Sequence, residues 1–330
     1  MMTKPKYETH IYVGPLSEIV EKYIAEKRGT GLKSDTESKH MSALCRFSLN
    51  YDLEPGTLPE YFVRAWIAKK PYETEANRHI RYRFIRQFAQ YMKRMGYAAF
   101  CPEKEDVAKF TTTFVPYIFT HDEICRLFAT ADAATNSKFS TSPHFHTIMP
   151  VVLRVLYCCG LRVSEALNLQ VSDVDFEHDL LMIRESKQGK SRYVPMSQEL
   201  SGKLAEYVAL RPESDWFFPA PDGGFYDPCS VYEFFRRTLR QAGISHGGRG
   251  KGPRVHDLRH TMAVHSLQRC AASGRDITSF LPKLSAYLGH DTMRYTEPYV
   301  RMTAEVYPEI SDRLQLKYGD LIPKREGPLL

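Results

Sequence analysis

Apolar residues recur at helical spacing through the first hundred residues of the chain. Residues 11–28 carry an apolar stripe with steps of three and four, which predicts one helix, and residues 38–51 predict a second. Residues 58–69 predict a third helix, after two prolines that interrupt the pattern. The longest apolar stripe spans residues 73–95. The N-terminal third therefore reads as a helical domain.

The helix predicted over residues 73–95 also carries basic residues on the faces outside its apolar stripe. Four of these basic residues are candidate DNA contacts: Arg78, Arg81, Arg83 and Arg86. An arginine-rich helix face is either an ordinary solvated surface or a surface that contacts phosphates, since neutralised phosphates supply most non-specific affinity for nucleic acid. The residues alone leave both interpretations open.

The remainder of the chain mixes helix with a little strand. Residues 96–116 look like a connector, and we place a domain boundary within 102–119. Thr120 with Glu123 forms a capping-box signature for the helix that follows. Further helices are expected over residues 148–159, from Asp227-Pro228 to Gly243, over 256–270 and over 278–288.

Two short strands are expected over residues 180–184 and 192–196, joined by a turn with Gly189 at its tip. No repeated strand–helix–strand pattern occurs, which argues against a doubly wound parallel sheet. The sequence thus predicts a mainly α protein with a small β-hairpin.

Composition adds modest constraints. At 330 residues the chain is long for one domain, and its net charge of +6 fits a polyanionic partner, although mild basicity is common. No apolar run approaches the ~20 residues of a membrane span, and the N-terminus lacks the apolar core of a secretory signal. The seven cysteines form no zinc-type spacing. We expect a cytoplasmic, nucleoid-associated protein without metal or cofactor.

Two basic motifs carry candidate chemistry. Arg162 lies at a junction between two predicted helices with Glu165 close enough to hold it, which fits either a structural ion pair or a cation directed into a cleft. In HDLRH, His256 and Arg259 share one helix face and together suit a phosphate. The alternative is a packing histidine beside a solvated arginine.

Three further candidates follow in the chain. Lys187, with Lys190 as its competitor, lies in the predicted hairpin turn. His290 follows a Leu-Gly pair that signals a helix C-terminus. Two tyrosines come after it, Tyr295 and Tyr299, and the residues themselves do not say which of them reacts.

This ordered set resembles the phage integrase or tyrosine recombinase family, which includes the Xer chromosome-dimer resolvases. GLRVSEALNLQVSDVD is similar to the family's first arginine box, and SKQGKSRYVPM to its β-hairpin with the catalytic lysine. HDLRHTMAVHSL resembles the second box and LGHDTMRYTEPYV the third. The matches cover residues 120–305, and their joint specificity is high.

The resemblance implies a role for each matched residue. Arg162 and Arg259 would bind the scissile phosphate, with His256 and His290 as further phosphate-binding or proton-transfer groups. Lys187, at the family's distance before Val-Pro, would be the general acid, and Glu165 would support the first arginine. Tyr299 lies at the family's distance from His290 and would be the nucleophile, whereas Tyr295 does not. Further DNA contacts are expected at basic positions of the loops and the hairpin: Lys190, Arg192, Arg249 and Lys251.

The resemblance also implies an architecture and partners. A helical core-binding domain (residues 1–101), a linker (102–119) and an α/β integrase-type catalytic domain (120–305) would close as a C-shaped clamp on double-stranded DNA. The tail (306–330) would dock on a neighbouring subunit. The enzyme would bind inverted half-sites as a homodimer and pair two duplexes as a homotetramer, with accessory DNA-binding proteins as possible partners and no contact with a membrane.

Two alternatives and one departure accompany this hypothesis. A type IB topoisomerase-like enzyme would share the chemistry, and a non-catalytic DNA-binding protein would share the fold. Pro298 immediately precedes Tyr299, and because proline disfavours helix in the residue before it, we expect Glu297 to be extended and Tyr299 to lie in the first turn of any following helix.

Overall fold

The computed structural model describes residues 10–31, 34–106, 115–135, 144–184, 191–248 and 252–307. The chain divides into two compact units, Met1–Phe114 and Val115–Leu330. Within the described ranges, no helix combines the length and the apolar character needed to cross a membrane.

The first unit is helical, with one minimal sheet. Its described elements are α1 (Ser17–Gly29), α2 (Asp35–Ser48), β1 (Thr57–Leu58), α3 (Glu60–Ile67), α4 (Glu75–Arg94) and β2 (Ala98–Ala99). The apolar stripes of the four helices meet in one core, whose largest members are Phe62, Trp66 and Phe88.

The helices of this unit differ from the predicted ranges by one to six residues, and α2 lies three residues earlier than predicted. Two of these differences have a cause in the backbone. Helix α1 begins at Ser17, six residues after the predicted start, because Gly14 takes a left-handed backbone (φ 85°) and its carbonyl accepts the Ser17 amide in a turn. Leu58, predicted to be helical, pairs instead with Ala99 in a parallel two-residue ladder. Pro59 then starts α3 from an extended conformation.

Arg81 of α4 is a buried structural residue. Its guanidinium donates to the carboxylate of Glu73 and to the carbonyl of Ala68, and it lies 5.3 Å from the ring of Trp66. Only 5% of the residue is exposed. These contacts give no support to the predicted phosphate contact of Arg81.

The other three arginines of α4 differ in exposure. Arg78 is half-buried and donates to the Ile67 carbonyl (2.9 Å), and Arg86 is half-buried and donates to the carbonyl of Pro102. Both therefore tie α4 to its surroundings, which argues against their predicted role as DNA contacts. Arg83 is exposed, with its guanidinium 4.9 Å from the ring of Phe84.

The second unit is also mainly helical and contains a small antiparallel sheet. Its described elements are α5 (His121–Asp132), α6 (Phe145–Cys158), α7 (Val163–Leu167), β3 (Val174–Asp175), β4 (Leu180–Ile183), β5 (Arg192–Pro195), α8 (Gln198–Val208), α9 (Pro228–Gln241), α10 (Asp257–Ala272), α11 (Ile277–Leu288) and α12 (Glu297–Val306). The prediction of a mainly α protein with a small sheet is confirmed.

The sheet has the order β3-β4-β5, and both pairs are antiparallel. Leu181 and Val194 face each other across β4 and β5 and are fully buried. The two predicted strands of the hairpin are thus confirmed. The predicted turn with Gly189, together with Lys187 and Lys190, lies outside the described residues.

The predicted capping signals are present. The Thr120 hydroxyl accepts the Glu123 amide, while the Glu123 carboxylate accepts the Thr120 amide, as in a full capping box. Asp227 caps α9, with Pro228 in its first turn. Helix α8, which the sequence analysis does not predict, begins after Ser197, whose hydroxyl accepts the Leu200 amide.

The segment around Pro298 corrects one expectation. Glu297 is not extended: it is the first residue of α12, and Pro298 is the second, a position where the missing amide proton has no helical partner to lose. Tyr299 lies in the first turn of this helix, as predicted.

Candidate active site

Glu165 is the anionic centre of a cluster of arginines in the second unit. It sits in the first turn of α7, where its carboxylate accepts the Arg162 amide (3.0 Å) and the Arg162 Nη1 donor (2.6 Å). Burial alone would raise the pKa of Glu165, but the hydrogen bonds and charges of Arg192 and Arg162 outweigh it, so the pKa lies below its usual range. The side chain is therefore a carboxylate at neutral pH.

Arg192, on β5, is the second arginine that binds Glu165. Its two terminal nitrogens donate to the two oxygens of Glu165 (3.1 and 3.0 Å), and its Nε donates to the Tyr287 carbonyl (2.9 Å). A bidentate pair of this kind is strong and geometrically specific. The pairing argues against the predicted DNA contact of Arg192, because its guanidinium is already engaged inside the unit.

Arg259 lies in the first turn of α10 with only 2% of its surface exposed. Its guanidinium donates to the carbonyls of Gly160 and Leu288, both at 2.6 Å, and approaches Glu165 at 4.0 Å. Burial, followed by the charge of Arg162, lowers the pKa of Arg259 to about 10, so it remains a cation at neutral pH. It ties the chain just after α6 to the end of α11.

His290 follows the end of α11. Gly289 terminates that helix in the left-handed region (φ 66°), as the Leu-Gly signal predicts. The His290 Nδ1 lies 2.8 Å from the Thr296 hydroxyl, and burial, followed by the charges of Arg259 and Arg162, lowers the pKa of His290 to about 4. Its imidazole is neutral at physiological pH.

Tyr299 and Tyr295 lie in very different environments. Tyr299 is 3% exposed, whereas Tyr295 is 61% exposed. The Tyr299 ring stacks on that of His290, with centroids 6.3 Å apart. Burial raises the pKa of Tyr299, while the charges of Arg259 and Arg162 act in the opposite direction. Tyr299 is thus the tyrosine whose hydroxyl lies within the field of the arginine cluster.

The hydroxyl of Tyr299 contacts a histidine that the sequence analysis did not single out. Its oxygen lies 2.8 Å from Nδ1 of His260 on α10. The His260 ring is in turn perpendicular to that of His256, with centroids 4.8 Å apart. Burial, together with Arg259 and Arg162, lowers the pKa of His256 to about 4. The only sequence signal for His260 was its place directly after Arg259, four residues from His256 and so on the same helix face.

The structure therefore brings together most of the predicted site residues. Those it places in one cluster are Arg162, Glu165, His256, Arg259, His290 and Tyr299. Lys187, Lys190, Arg249 and Lys251 fall outside the described residues. Within the part of the chain that is described, no group of three histidine, cysteine or acidic side chains is arranged to hold a metal ion.

The chemical capacity of this cluster follows from its charges. Three arginines surround one carboxylate, and three neutral imidazoles and one phenol lie beside them. Cations held in fixed positions within a partly buried site stabilise developing negative charge far better than cations in water do. The site suits an anion that gains charge while a phenol attacks it.

Sequence comparisons find recombinases among the relatives of this chain. A putative integrase/recombinase y4rB of Sinorhizobium fredii is 27% identical over 317 residues, which cover 92% of this chain and 98% of the relative. The tyrosine recombinase XerA of Pyrococcus furiosus is 32% identical over 170 residues. That alignment covers 50% of this chain and 54% of the relative.

Two solved structures share the fold. An integrase of the transposon Tn1549, in complex with transposon right end DNA, superposes with a TM-score of 0.63 at 15% identity, covering 91% of this chain and 99% of the other. The site-specific recombinase XerH, bound to a palindromic difH substrate, gives a TM-score of 0.60 at 15% identity, covering 90% and 84%. The sequence profile of the phage integrase family matches residues 118–305, more than half of the chain. The chain therefore belongs to the phage integrase family of tyrosine recombinases.

Proposed function

We propose that this protein is a site-specific DNA recombinase that breaks and rejoins strands through Tyr299. The observation that carries the proposal is the buried Tyr299 hydroxyl inside the cluster of Arg162, Arg259 and three imidazoles. Family membership and the DNA complexes of the two solved neighbours support a duplex DNA substrate.

In the proposed reaction Tyr299 attacks the scissile phosphate and releases a free 5′-hydroxyl. Arg162 and Arg259 stabilise the charge that accumulates on the phosphate oxygens, and Lys187 protonates the leaving oxygen. The 3′-phosphotyrosyl linkage keeps the energy of the broken bond, so religation to another strand needs no nucleotide cofactor. Exchange of both strand pairs then passes through a Holliday junction and serves the integration, excision or resolution of a mobile element or replicon.

The remaining assignments are part of the same proposal. Residues 1–101 form the core-binding domain, 102–119 the linker and 120–305 the catalytic domain of a DNA clamp, and the tail from 306 docks on a neighbouring subunit. The enzyme acts as a homodimer on inverted half-sites and as a homotetramer in the synaptic complex. Arg83, the exposed arginine of α4, stays a candidate phosphate contact, as do Lys190, Arg249 and Lys251.

The test is covalent trapping. Duplexes that the protein selects from a randomised pool define its inverted repeat, and a version nicked beside the cleavage point traps the adduct because the short leaving strand diffuses away. We expect an adduct that survives denaturation, mapped to Tyr299 by peptide sequencing. Tyr299→Phe abolishes it, whereas Tyr295→Phe, the matched control at the exposed tyrosine, retains it.

Other outcomes separate the alternatives. An adduct on Tyr295 contradicts the assignment of the nucleophile. Specific binding without any adduct favours a non-catalytic DNA-binding protein. Relaxation of supercoiled plasmid without strand transfer between two selected sites favours a topoisomerase-like enzyme.

A further inference from the structure

The proposed reaction requires a proton acceptor for Tyr299, because the phenol must lose its proton as the oxygen–phosphorus bond forms. An unperturbed tyrosine has a pKa near ~10, and burial raises that of Tyr299. The nearby arginines favour the phenolate but accept no proton. A basic group in contact with the hydroxyl is therefore needed.

His260 is the imidazole in direct contact with that hydroxyl, at 2.8 Å from Nδ1 to the phenol oxygen. The other two imidazoles of the site are placed differently. The Nδ1 of His290 lies 2.8 Å from the Thr296 hydroxyl, and His256 packs its ring against that of His260. Among the described residues, His260 thus has the geometry of a general base for Tyr299.

The protonation state of His260 fits this geometry. Burial, together with His256 and Arg259 on its own helix and His290 beyond α11, lowers the pKa of His260 to about 3. The imidazole is then neutral at pH 7. The role of a base requires the tautomer with the ring proton on Nε2, which leaves the Nδ1 lone pair to accept the phenol proton. A phosphate bound at the arginines would offset part of the positive charge around His260 and make it a stronger base only when substrate is present.

We propose that His260 takes the Tyr299 proton during strand cleavage, an inference that rests on the proposed recombinase function. The Tyr299 oxygen forms its bond to phosphorus, the bond from phosphorus to the 5′-oxygen breaks, and that oxygen receives a proton from the general acid. The phenolic proton moves to Nδ1 of His260, which becomes an imidazolium. On religation the 5′-hydroxyl attacks phosphorus, and His260 returns the proton to the departing tyrosine.

The experiment measures single-turnover cleavage of the nicked selected duplex between pH 6 and pH 9.5. His260→Ala removes the imidazole, whereas His260→Asn keeps a hydrogen-bond acceptor near the position of Nδ1 that does not take up a proton. We expect both variants to cleave about 100- to 10,000-fold more slowly at pH 7. The cleavage rates of both variants should rise about tenfold per pH unit, because only solvent then deprotonates Tyr299 before it attacks. The unsubstituted protein should show a much flatter profile.

His265→Asn is the matched control. His265 is also a buried histidine of α10, and its Nδ1 lies 2.8 Å from another tyrosine hydroxyl, that of Tyr157. We expect this variant to cleave at the unsubstituted rate. Duplex affinity and melting temperature are measured for all variants, so that a loss of folding is not counted as a loss of cleavage.

Several results would overturn the proposal. A His260→Asn variant with the normal rate and pH profile would show that His260 only positions the phenol. A duplex with sulfur in place of the 5′-oxygen needs no general acid, so rescue of His260→Ala by that duplex would assign the histidine to the leaving group instead.

If both His260 variants fail to fold, the unsubstituted protein supplies the test. With ¹⁵N-labelled histidine, His260 should be neutral in the free protein with its proton on Nε2, and a proton on the Nδ1 that faces Tyr299 contradicts the proposal. The proposed function fails separately, through the absence of an adduct on Tyr299 in the unsubstituted protein.

Discussion

Glu165→Gln tests whether the arginine cluster depends on one buried charge. The carboxylate accepts four hydrogen bonds, two from Arg162 and two from Arg192. A glutamine of the same shape offers one oxygen, and its amide nitrogen is itself a donor that would face an arginine donor. The substitution thus removes the negative charge and at least one pair of hydrogen bonds while leaving the volume unchanged.

The magnitude follows from burial. The Glu165 side chain is 5% exposed, and removing one partner of a buried ion pair typically costs about 3–5 kcal/mol, since the remaining charges lose their compensation. The matched control is Glu206→Gln, at an exposed carboxylate 2.8 Å from Lys203. Exposed pairs of that kind contribute about 0–1 kcal/mol.

The assay is urea unfolding followed by tryptophan fluorescence. The chain has two tryptophans, Trp66 in the first unit and Trp216 in the second. In a Trp66→Phe background the remaining Trp216 reports on the second unit, which contains Glu165. We expect the free energy of unfolding to fall by about 3–5 kcal/mol for Glu165→Gln and by less than about 1 kcal/mol for Glu206→Gln.

The pH dependence supplies a second check. Because the pKa of Glu165 is lower in the folded protein than its ordinary value, its charge stabilises the fold fully above the unfolded pKa of about 4.3. That contribution disappears as the pH falls through the folded pKa. The difference between Glu165→Gln and the parent should therefore be largest near pH 7 and shrink below about pH 4. Equal losses for the two glutamines at pH 7, or a difference that grows in acid, would refute the reasoning.

Two further predictions concern the frame around the site. Gly289→Ala forces a side chain into the left-handed region (φ 66°) and places its Cβ 2.9 Å from the Arg192 guanidinium, so it should lower the free energy of unfolding in urea by at least about 1–2 kcal/mol. The control is Gly202→Ala, in a helix with open space around the new Cβ, which should stabilise the protein by about 0.5–1 kcal/mol. Equal effects of the two substitutions would contradict this prediction. Burial, followed by the charge of His121, lowers the pKa of His265 to about 4 in the folded protein. As the pH drops from about 6.5 to 4, His265 is therefore protonated in the unfolded chain but not in the folded one, and the free energy of unfolding falls by up to about 1.4 kcal/mol per pH unit. His265→Gln should flatten that slope, and an unchanged slope would contradict the assignment.

Much of the fold could be predicted because its signals are local. Apolar stripes at helical spacing predict α2 and α4 to within a few residues, and the capping box at Thr120 marks the start of α5. The ladder of Leu58 with Ala99 could not be predicted, since its two strands have two residues each and lie forty residues apart in the chain. Helix α1 starts later than predicted because of the turn at Gly14; the prediction followed the apolar stripe and extended the helix through that glycine.

Some features of the candidate site could likewise be predicted from the sequence, and others could not. Family spacing pointed to Tyr299 over Tyr295, and the exposures of the two side chains agree with that choice. Arg192 and Arg81 carry the same charge as any surface arginine, and only the tertiary structure pairs them with Glu165 and Glu73. A motif identifies residue types, but the partner of a buried arginine depends on how the chain folds, whether the partner is eight residues away, as Glu73 is from Arg81, or 27, as Glu165 is from Arg192.

The charge balance of the cluster explains how it can be both stable and reactive. Three arginines and one carboxylate leave two positive charges uncompensated (3 − 1 = 2) among the described groups, and burial makes their mutual repulsion costly. Carbonyls of Gly160, Leu288 and Tyr287 accept from two of the arginines and hold them in place. A bound phosphodiester would relieve part of that repulsion, and the further charge gained in the transition state would relieve more. The same excess that limits the stability of the free protein thus favours the transition state over bound substrate, which is the condition for catalysis.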